Sequence, residues 1–169
     1  PQPCSSAASD VYKRQDLCTQ AFLDNPLVVV ALKTHPLANK QNIPITALEG
    51  EPFIMREQGS GTRRAVQNLF DKHKVSVHVR LELGSNEAIK QAIAGSLGIS
   101  VLSQHTLISE GIDSELTVLD VENFPIKRRW YVAYLGGKQL SVITKAFLDY
   151  LLEESTKFSL PTIQKLAKV

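Results

Sequence analysis

The residues best suited to chemistry form a Gly-Ser-Gly-Thr-Arg stretch at positions 59–63. An apolar run at 53–55 precedes this stretch, and a helical pattern built on Val66, Leu69 and Phe70 follows it. The first backbone N–H groups of a helix have no intrahelical partner and carry the positive end of its dipole, so they bind carboxylate or phosphate groups. The stretch therefore predicts an anion-binding helix start. A simple capped turn between a strand and a helix is the alternative.

A second helix start lies at residues 84–87, which read Gly-Ser-Asn-Glu. Ser85 or Asn86 can cap this helix, and a plain capping motif is again the alternative. In an open α/β sheet, helix starts that follow parallel strands lie at the same sheet edge, so both starts would face one ligand. Each helix end contributes about 0.3–1 kcal/mol and each hydrogen bond about 0.5–1.5 kcal/mol. The pair thus predicts millimolar to micromolar binding of a small metabolite.

The composition sets the class of protein. With 169 residues, the chain is long enough for one ordinary domain or two small lobes. It has 43% hydrophobic residues but no apolar run of membrane-spanning length, so we expect no membrane role. The net charge is only +2 and the basic residues are dispersed, so any DNA contact requires another segment. Cys4 and Cys18 fit a reducing cytoplasm better than a disulfide-stapled secreted fold.

Known catalytic motifs are not matched. Ser60 does not lie in a G-x-S-x-G elbow, and the glycines before Lys138 lack the spacing of a phosphate-binding P-loop. Glu49, Glu51 and Glu57 flank a strand, where a solvated edge is favoured over an acid/base pair. The histidines are too dispersed for a metal site: His35, His73, His78 and His105. We therefore expect no catalytic residues, no cofactor and no metal.

Hydrophobic periodicity predicts an α/β fold. The apolar run at 27–32 indicates a strand buried on both faces, which is typical of parallel or mixed sheets. Strict alternation over 77–83 indicates a strand with one wetter face. The other predicted strands lie at 53–56, 99–102, 116–121 and 129–135. A helical turn is predicted at 45–48, with helices from the glycine turn to 73, from 85 or 86 to the glycines at 95 and 98, from 103 to a break at 111, and from 141 to 153.

The order of these motifs resembles the effector-binding domain of LysR-type transcriptional regulators over residues 27–152. The resemblance rests on four segments: 27–38 with its His-Pro-Leu ending, 53–70 with the glycine turn, 83–103, and 125–151 with its Arg-Trp-Tyr. Within this family, the Gly-Ser-Gly-Thr-Arg turn together with Gly-Ser-Asn-Glu-Ala-Ile-Lys at 84–90 is most similar to regulators of carbon-fixation (RubisCO) operons.

The resemblance implies a type 2 periplasmic-binding-protein-like fold with two lobes, a small effector between them, and an incomplete first lobe. Residues 17–44 and 136–153 would be the remnant of the first lobe, 45–135 the second lobe, and 154–169 a C-terminal tail. Residues 1–16 show neither the helical nor the strand period of hydrophobic residues, so we expect them to be non-native or disordered. The family's N-terminal winged helix-turn-helix and linker helix are not in this sequence. A truncated first lobe would expose apolar area at 27–32 and 147–151.

The resemblance also implies roles for individual residues. Those expected at the effector are Ser60, Gly61, Thr62, Ser85 and Asn86, and Arg63 would either pair with the effector or anchor the turn. The helix after the glycine turn packs in the family's dimer, which would place Arg64, Asn68 and Lys72 at a subunit boundary, with a solvated face as the alternative. Ser96 stands where a glycine is usual, so the end of that helix is left open.

The expected function is that of a regulatory domain in a cytoplasmic LysR-type regulator of carbon-fixation genes. It would sense a small anionic metabolite, such as a phosphorylated sugar or acid, assemble as a homodimer or tetramer, and reach DNA only through the winged helix. A solute-binding protein of a transport system with the same fold is the alternative. An unrelated enzyme is a third reading, supported only by the expectation of a cleft.

Overall fold

The structure is a computed structural model that describes residues 17–108, 115–136 and 139–155. In chain order, the first elements are β1 (Leu17–Asp24), β2 (Leu27–Leu32), a 3₁₀ helix (Ile45–Gly50), β3 (Pro52–Arg56), α1 (Gly61–His73) and β4 (His78–Leu83). These are followed by α2 (Asn86–Ala94), β5 (Ile99–Ser103), α3 (His105–Ile108), β6 (Leu116–Leu119), β7 (Arg129–Leu135) and α4 (Val142–Ser155). In these described ranges, every helix is too short or too polar to cross a lipid bilayer.

The chain forms two compact units. Among the described residues, unit 1 comprises 17–25 and 128–155, and unit 2 comprises 26–127. This division differs from the predicted lobe boundaries, because β2 is hydrogen-bonded into the sheet of unit 2 and β7 pairs with β1 in unit 1. Which unit corresponds to which family lobe stays a prediction. The interpretations of residues 1–16, of the break at Gly111 and of the tail from 156 lie outside the described residues.

Unit 2 contains a five-stranded mixed sheet in the order β4-β3-β5-β2-β6. β3 is parallel to both β4 and β5, whereas β2 is antiparallel to its two neighbours, β5 and β6. The expectation of a parallel or mixed sheet is thus confirmed. The segment from β3 to β5 has the β-α-β-α-β order that the sequence predicts, and the strand and helix boundaries agree within two residues.

Apolar clusters cover both faces of this sheet. Side chains alternate across a strand, so Val29 and Phe53 join one cluster with helix α1, while Val28 and Ile54 join another with helix α2. Phe53 also packs edge-on against Phe70 of α1, with ring centroids 5.6 Å apart. Each fully buried aliphatic or aromatic side chain contributes about 1.5–3 kcal/mol relative to exposure. The predicted exposure of 27–32 is therefore wrong: Leu27 to Ala31 are buried in the centre of the sheet.

Unit 1 consists of the antiparallel pair β1–β7 and helix α4. Strand β1 was not predicted from the sequence, although its Phe22 stacks on Trp130 of β7 with ring centroids 6.4 Å apart. The expected exposure at 147–151 is confirmed for Phe147 and Tyr150, which are each 61% exposed. Cys18 on β1 is disulfide-bonded, which contradicts the expectation of reduced cysteines.

Helix α2 ends in a Schellman motif with a serine at its left-handed position. The Leu97 N–H donates to the Ala92 carbonyl at 3.0 Å, and the Ser96 N–H donates to the Ile93 carbonyl at 2.9 Å. This pattern requires a left-handed residue after the helix, which is usually glycine, and Ser96 has φ +59°. The usual glycine is therefore missing at the position whose backbone favours it. Gly98 cannot be replaced, because a Cβ there would lie 2.2 Å from the Pro52 carbonyl oxygen.

We predict that Ser96→Gly stabilises the chain by about 1 kcal/mol, because glycine adopts the left-handed conformation without the steric penalty of a Cβ. Urea unfolding followed by circular dichroism measures the change. Ser96→Ala is the matched control, since alanine retains the Cβ and so should bring no gain. An equal effect of both substitutions would show that the left-handed backbone is not the cause.

Candidate functional site

The parallel pairing of β3 with β4 places the two predicted helix starts side by side. Arg56, the last residue of β3, is in register with Leu83, the last residue of β4. Each strand is followed by a short turn and a helix, so the N-termini of α1 and α2 lie at one sheet edge. This juxtaposition is the one that the sequence predicts from the two glycine-containing turns.

The first helix start is capped and has hydrogen-bond donors that are not used. Gly59 has φ +87°, a conformation that favours glycine. Ser60 is the N-cap, and its Oγ accepts a hydrogen bond from the Arg63 N–H at 3.4 Å. The N–H groups of Gly61 and Thr62 have no intrahelical partner and make no other hydrogen bond within the described part of the chain. The Ser60 and Thr62 hydroxyls also remain able to donate there.

The second start is built in the same way. Ser85 is the N-cap of α2, and its Oγ accepts from the Ala88 N–H at 3.5 Å. Asn86 is the first helical residue, and its Oδ1 accepts from Nη1 of Arg56 at 2.8 Å. Its Nδ2 makes no hydrogen bond to the residues described here. Capping therefore does not exclude anion binding at either start, because it uses an acceptor lone pair and leaves the donors unused.

Arg63 anchors the glycine turn. Its Nη1 donates to the Arg56 carbonyl at 2.8 Å and pairs with the Glu82 carboxylate on β4. The side chain is only 11% exposed, and its Nε is buried without a partner among the described residues. Of the two roles left open for Arg63, these contacts are those of an anchor. Direct pairing of Arg63 with an effector stays a prediction.

Sequence reasoning missed the arginine that lies between the two helix starts. Arg56 makes a two-pronged ion pair with Glu57, from Nε at 2.7 Å and from Nη2 at 2.9 Å, in addition to its bond to Asn86. Glu82 likewise accepts from the Gln58 N–H at 3.2 Å. The available signal in the sequence was the presence of charged residues where a strand ends and a helix start follows. Their partners could not be predicted because they depend on strand register.

The ion pairs make the site nearly neutral in net charge. The hydrogen bond from Arg56 lowers the pKa of Glu57 below its ordinary 4.5. The hydrogen bond from Arg63 lowers the pKa of Glu82 below the same value. Both carboxylates are therefore ionised at neutral pH and offset the two guanidinium groups. Any attraction for an anion at this edge would come from the helix ends and the unused donors rather than from excess positive charge.

The remaining candidate residues lie elsewhere. Glu49 accepts from the Ser76 N–H at 2.8 Å, and Glu51 lies 3.2 Å from Nε2 of His35, so the three glutamates do not form an acid/base pair. The described residues contain no group of three metal-ligating side chains. The residues predicted at a dimer boundary lie four apart along the exposed face of α1: Arg64, Asn68 and Lys72. Their exposure fits both a subunit boundary and a solvated face.

Comparison with known proteins identifies the family. Residues 7–156 match the LysR substrate binding domain, so the chain belongs to this family of regulatory domains. Among solved structures, the chain is similar to the regulatory domain of Synechocystis PCC6803 CcmR in complex with 2-PG, with 70% identity and a TM-score of 0.83. That match covers 89% of this chain and 73% of the CcmR chain. The predicted periplasmic-binding-protein-like fold is thereby confirmed.

Among related sequences, the chain is similar to transcriptional regulators, including a RuBisCO operon regulator. The chain is 48% identical over 148 residues to the HTH-type transcriptional activator CmpR of Synechocystis, covering 88% of this chain and 49% of CmpR. It is also 48% identical over 143 residues to a RuBisCO operon transcriptional regulator of Acidithiobacillus ferrooxidans, covering 85% of this chain and 46% of that protein. The predicted subgroup is confirmed, and the transport alternative is not favoured. The chain spans about half the length of these relatives.

We predict that Glu57 and Glu82 both titrate below the ordinary 4.5 of a glutamate. Because folding lowers these pKa values, each ion pair stabilises the fold above pH 4.5, and this contribution is lost as the pH falls through the lowered pKa. NMR titration of the carboxyl carbons measures both values. Arg56→Met should raise the Glu57 value and leave that of Glu82, which Arg63 sets. A Glu57 midpoint that does not respond to Arg56→Met would contradict the assignment.

Proposed function

We propose that this chain is the effector-binding domain of a LysR-type regulator of carbon-fixation genes and that its effector is a small anionic metabolite. The observation that carries the proposal is the side-by-side arrangement of two capped helix starts on parallel neighbouring strands. The proposed ligands are Ser60, Gly61, Thr62, Ser85 and Asn86.

The hydrogen-bonding capacity of these residues supports an anion. Hydroxyl, amide and backbone N–H donors are available at both starts, while the neighbouring carboxylates are occupied by arginines. A ligand with several acceptor oxygens, such as a phosphate or carboxylate, satisfies such donors. The 2-PG held by the similar CcmR regulatory domain supports this class of ligand.

The proposed effector lies on the outer side of the two turns. The space beneath them, which Arg63, Val66 and Ser100 line, is too small to hold even a water molecule. Typical ligand pockets measure about 300–1,000 Å³. Binding at the outer side keeps the Arg63–Glu82 pair intact, so the anchor of the turn and the recognition of the effector are separate functions.

The wider role follows from the relatives. CmpR and the RuBisCO operon regulators are transcriptional regulators, which supports a regulatory rather than an enzymatic role. The HTH-type designation of CmpR supports a DNA-binding segment outside this chain, through which the protein would act in the cytoplasm. The localisation rests on this DNA-linked role and not on the cysteines.

We also propose that the protein assembles as a homodimer or tetramer through the exposed face of α1. Arg64, Asn68 and Lys72 form one stripe on this face because residues four apart are neighbours on a helix. Arg64 lies in the first turn of α1, next to the proposed effector site, whereas Lys72 lies two turns further along. Assembly is therefore tested by the mass of the protein and effector binding by affinity.

We predict that Thr62→Ala weakens binding of 2-PG about tenfold, the loss expected for one hydrogen bond to a charged group. Isothermal titration calorimetry of the full chain measures the affinity. Thr117→Ala on β6, at the far edge of the sheet from α1's start, is the matched control and should bind as the wild type does. Equal affinities for wild type and Thr62→Ala remove Thr62 from the site. A wild-type chain that binds neither 2-PG nor sugar phosphates would overturn the proposed function.

We predict that reversing two charges on the α1 stripe, with Arg64→Glu and Lys72→Glu together, shifts the protein toward monomer. At a stable boundary these two cations would face acidic groups of the second copy, so their reversal would replace attraction by repulsion. Sedimentation velocity measures the change in mass. The double reversal Lys33→Glu and Lys40→Glu, at exposed positions after β2, controls for net charge. If both double variants sediment alike, the α1 stripe is a solvated face.

A further inference from the structure

We propose that Arg56 is a positioning residue of the effector site. It orients the side-chain amide of Asn86 and links the two helix starts. The inference rests on the proposed function, because Asn86 is one of the proposed ligands. Arg56 lies outside the glycine turn and outside the second turn, and its side chain contacts both.

The contacts of Arg56 run in both directions along the sheet edge. Its Nε and Nη2 hold Glu57, which begins the turn toward α1, and its Nη1 holds Asn86, which begins α2. The Glu57 carbonyl in turn accepts from the N–H of Ser60, the cap of α1, at 3.2 Å. A guanidinium is planar, so donors on the same fork have a fixed relative geometry. One rigid group therefore links the two helix starts, whose distance strand register sets.

The same contact decides how Asn86 meets a ligand. A guanidinium only donates hydrogen bonds, so the amide must turn its Oδ1 toward Arg56, as it does at 2.8 Å. The Nδ2 group then points away from Arg56 as a donor. An anion accepts hydrogen bonds and would be repelled by the amide oxygen. The Asn86 amide can both donate and accept hydrogen bonds, and Arg56 leaves only its donor group available to an anion.

Arg56 does not act by its charge. Glu57 binds two of its nitrogens and offsets the guanidinium, and the Arg56 side chain is only 19% exposed. A positive charge compensated in this way adds little long-range attraction for an effector. The geometric contribution of the fork is what a lysine at this position lacks, because an ammonium is a point charge without a planar arrangement of donors.

The turn has a second support that does not use the Arg56 side chain. Arg63 binds the backbone carbonyl of residue 56 and the Glu82 carboxylate. Removing the Arg56 guanidinium therefore leaves the backbone of the glycine turn anchored. The effect of such a substitution should be confined to the orientation of Asn86 and the link between the helix starts, while the fold persists.

The first test needs no ligand. In Arg56→Met, side-chain ¹⁵N relaxation of the Asn86 amide should show a lower order parameter than in the wild type, since the bond that fixes Oδ1 is gone. Arg80→Met is the matched control: Arg80 on β4 donates to the Leu97 carbonyl at 3.2 Å and does not contact Asn86. An Asn86 amide that is equally ordered in wild type and Arg56→Met overturns the proposal.

The second test measures 2-PG affinity of the full chain for four variants: Arg56→Met, Arg56→Lys, Asn86→Leu, and Arg56→Met with Asn86→Leu. Each single change should weaken binding about tenfold, as for one hydrogen bond to a charged group. The double variant should bind no more weakly than Asn86→Leu, since Arg56 acts through Asn86. Full affinity in Arg56→Lys would show that charge alone suffices. Additive losses in the double variant would show that Arg56 acts independently. Either result overturns the proposal.

The two proposals fail in distinguishable ways. If Thr62→Ala and Asn86→Leu weaken 2-PG binding but Arg56→Met does not, the site stands and the role of Arg56 is wrong. If the wild type binds neither 2-PG nor sugar phosphates, the proposed function is wrong, and the relaxation measurement still decides whether Arg56 orients the Asn86 amide.

Discussion

The parallel pairing of β3 with β4 is the constraint on which the candidate site depends. Parallel strands end at the same edge of a sheet, so the turns that follow Arg56 and Leu83 are neighbours. A one-residue slip of β3 would turn Phe53 and Met55 out of one apolar cluster and Ile54 out of the other. The energy of burying these side chains therefore fixes the register, and the register fixes the distance between the two helix starts.

The electrostatics of the site follow from the same geometry. Glu82 belongs to β4 and Arg63 to α1, yet they pair because the two elements flank the same strand. Arg56 and Glu57 are sequence neighbours and form the other pair. With both pairs closed, the edge has oriented helix dipoles and free donors but little net charge. Such a surface discriminates an anion by the positions of its acceptor oxygens rather than by its total charge.

The two helices of the site also end alike. Each closes with a left-handed residue that is not glycine, Lys74 after α1 and Ser96 after α2, and each carries the Schellman pair of hydrogen bonds. The apolar residues that follow, Val75 and Leu97, pack against the two clusters. Packing at these helix ends thus offsets the steric cost of a Cβ in the left-handed region. The caps at the helix starts have no comparable burial and depend on hydrogen bonds alone.

Elements with strong local signals could be predicted from the sequence alone. Period-two alternation, apolar runs, and serine caps after glycine turns led to β2, β3, α1 and α2 nearly to the residue, because these signals depend on neighbours within one turn or one strand. The motif order was sufficient for the family. Strand β1 was not predicted because its sequence, Leu-Cys-Thr-Gln-Ala-Phe-Leu-Asp, has no clean period. It is stabilised by pairing with β7, which lies more than one hundred residues later in the chain.

The contacts of the charged residues could be assigned only from the folded chain. Arg63 is the most conspicuous cation of the glycine turn, but the register of β4 brings Glu82 to it and makes it an anchor. Arg56 gains its place between the helix starts because Asn86 follows the strand beside its own, thirty residues away in sequence. Periodicity and capping depend on residues that are close in sequence. An ion pair needs a partner that can be distant in sequence and that strand pairing brings near.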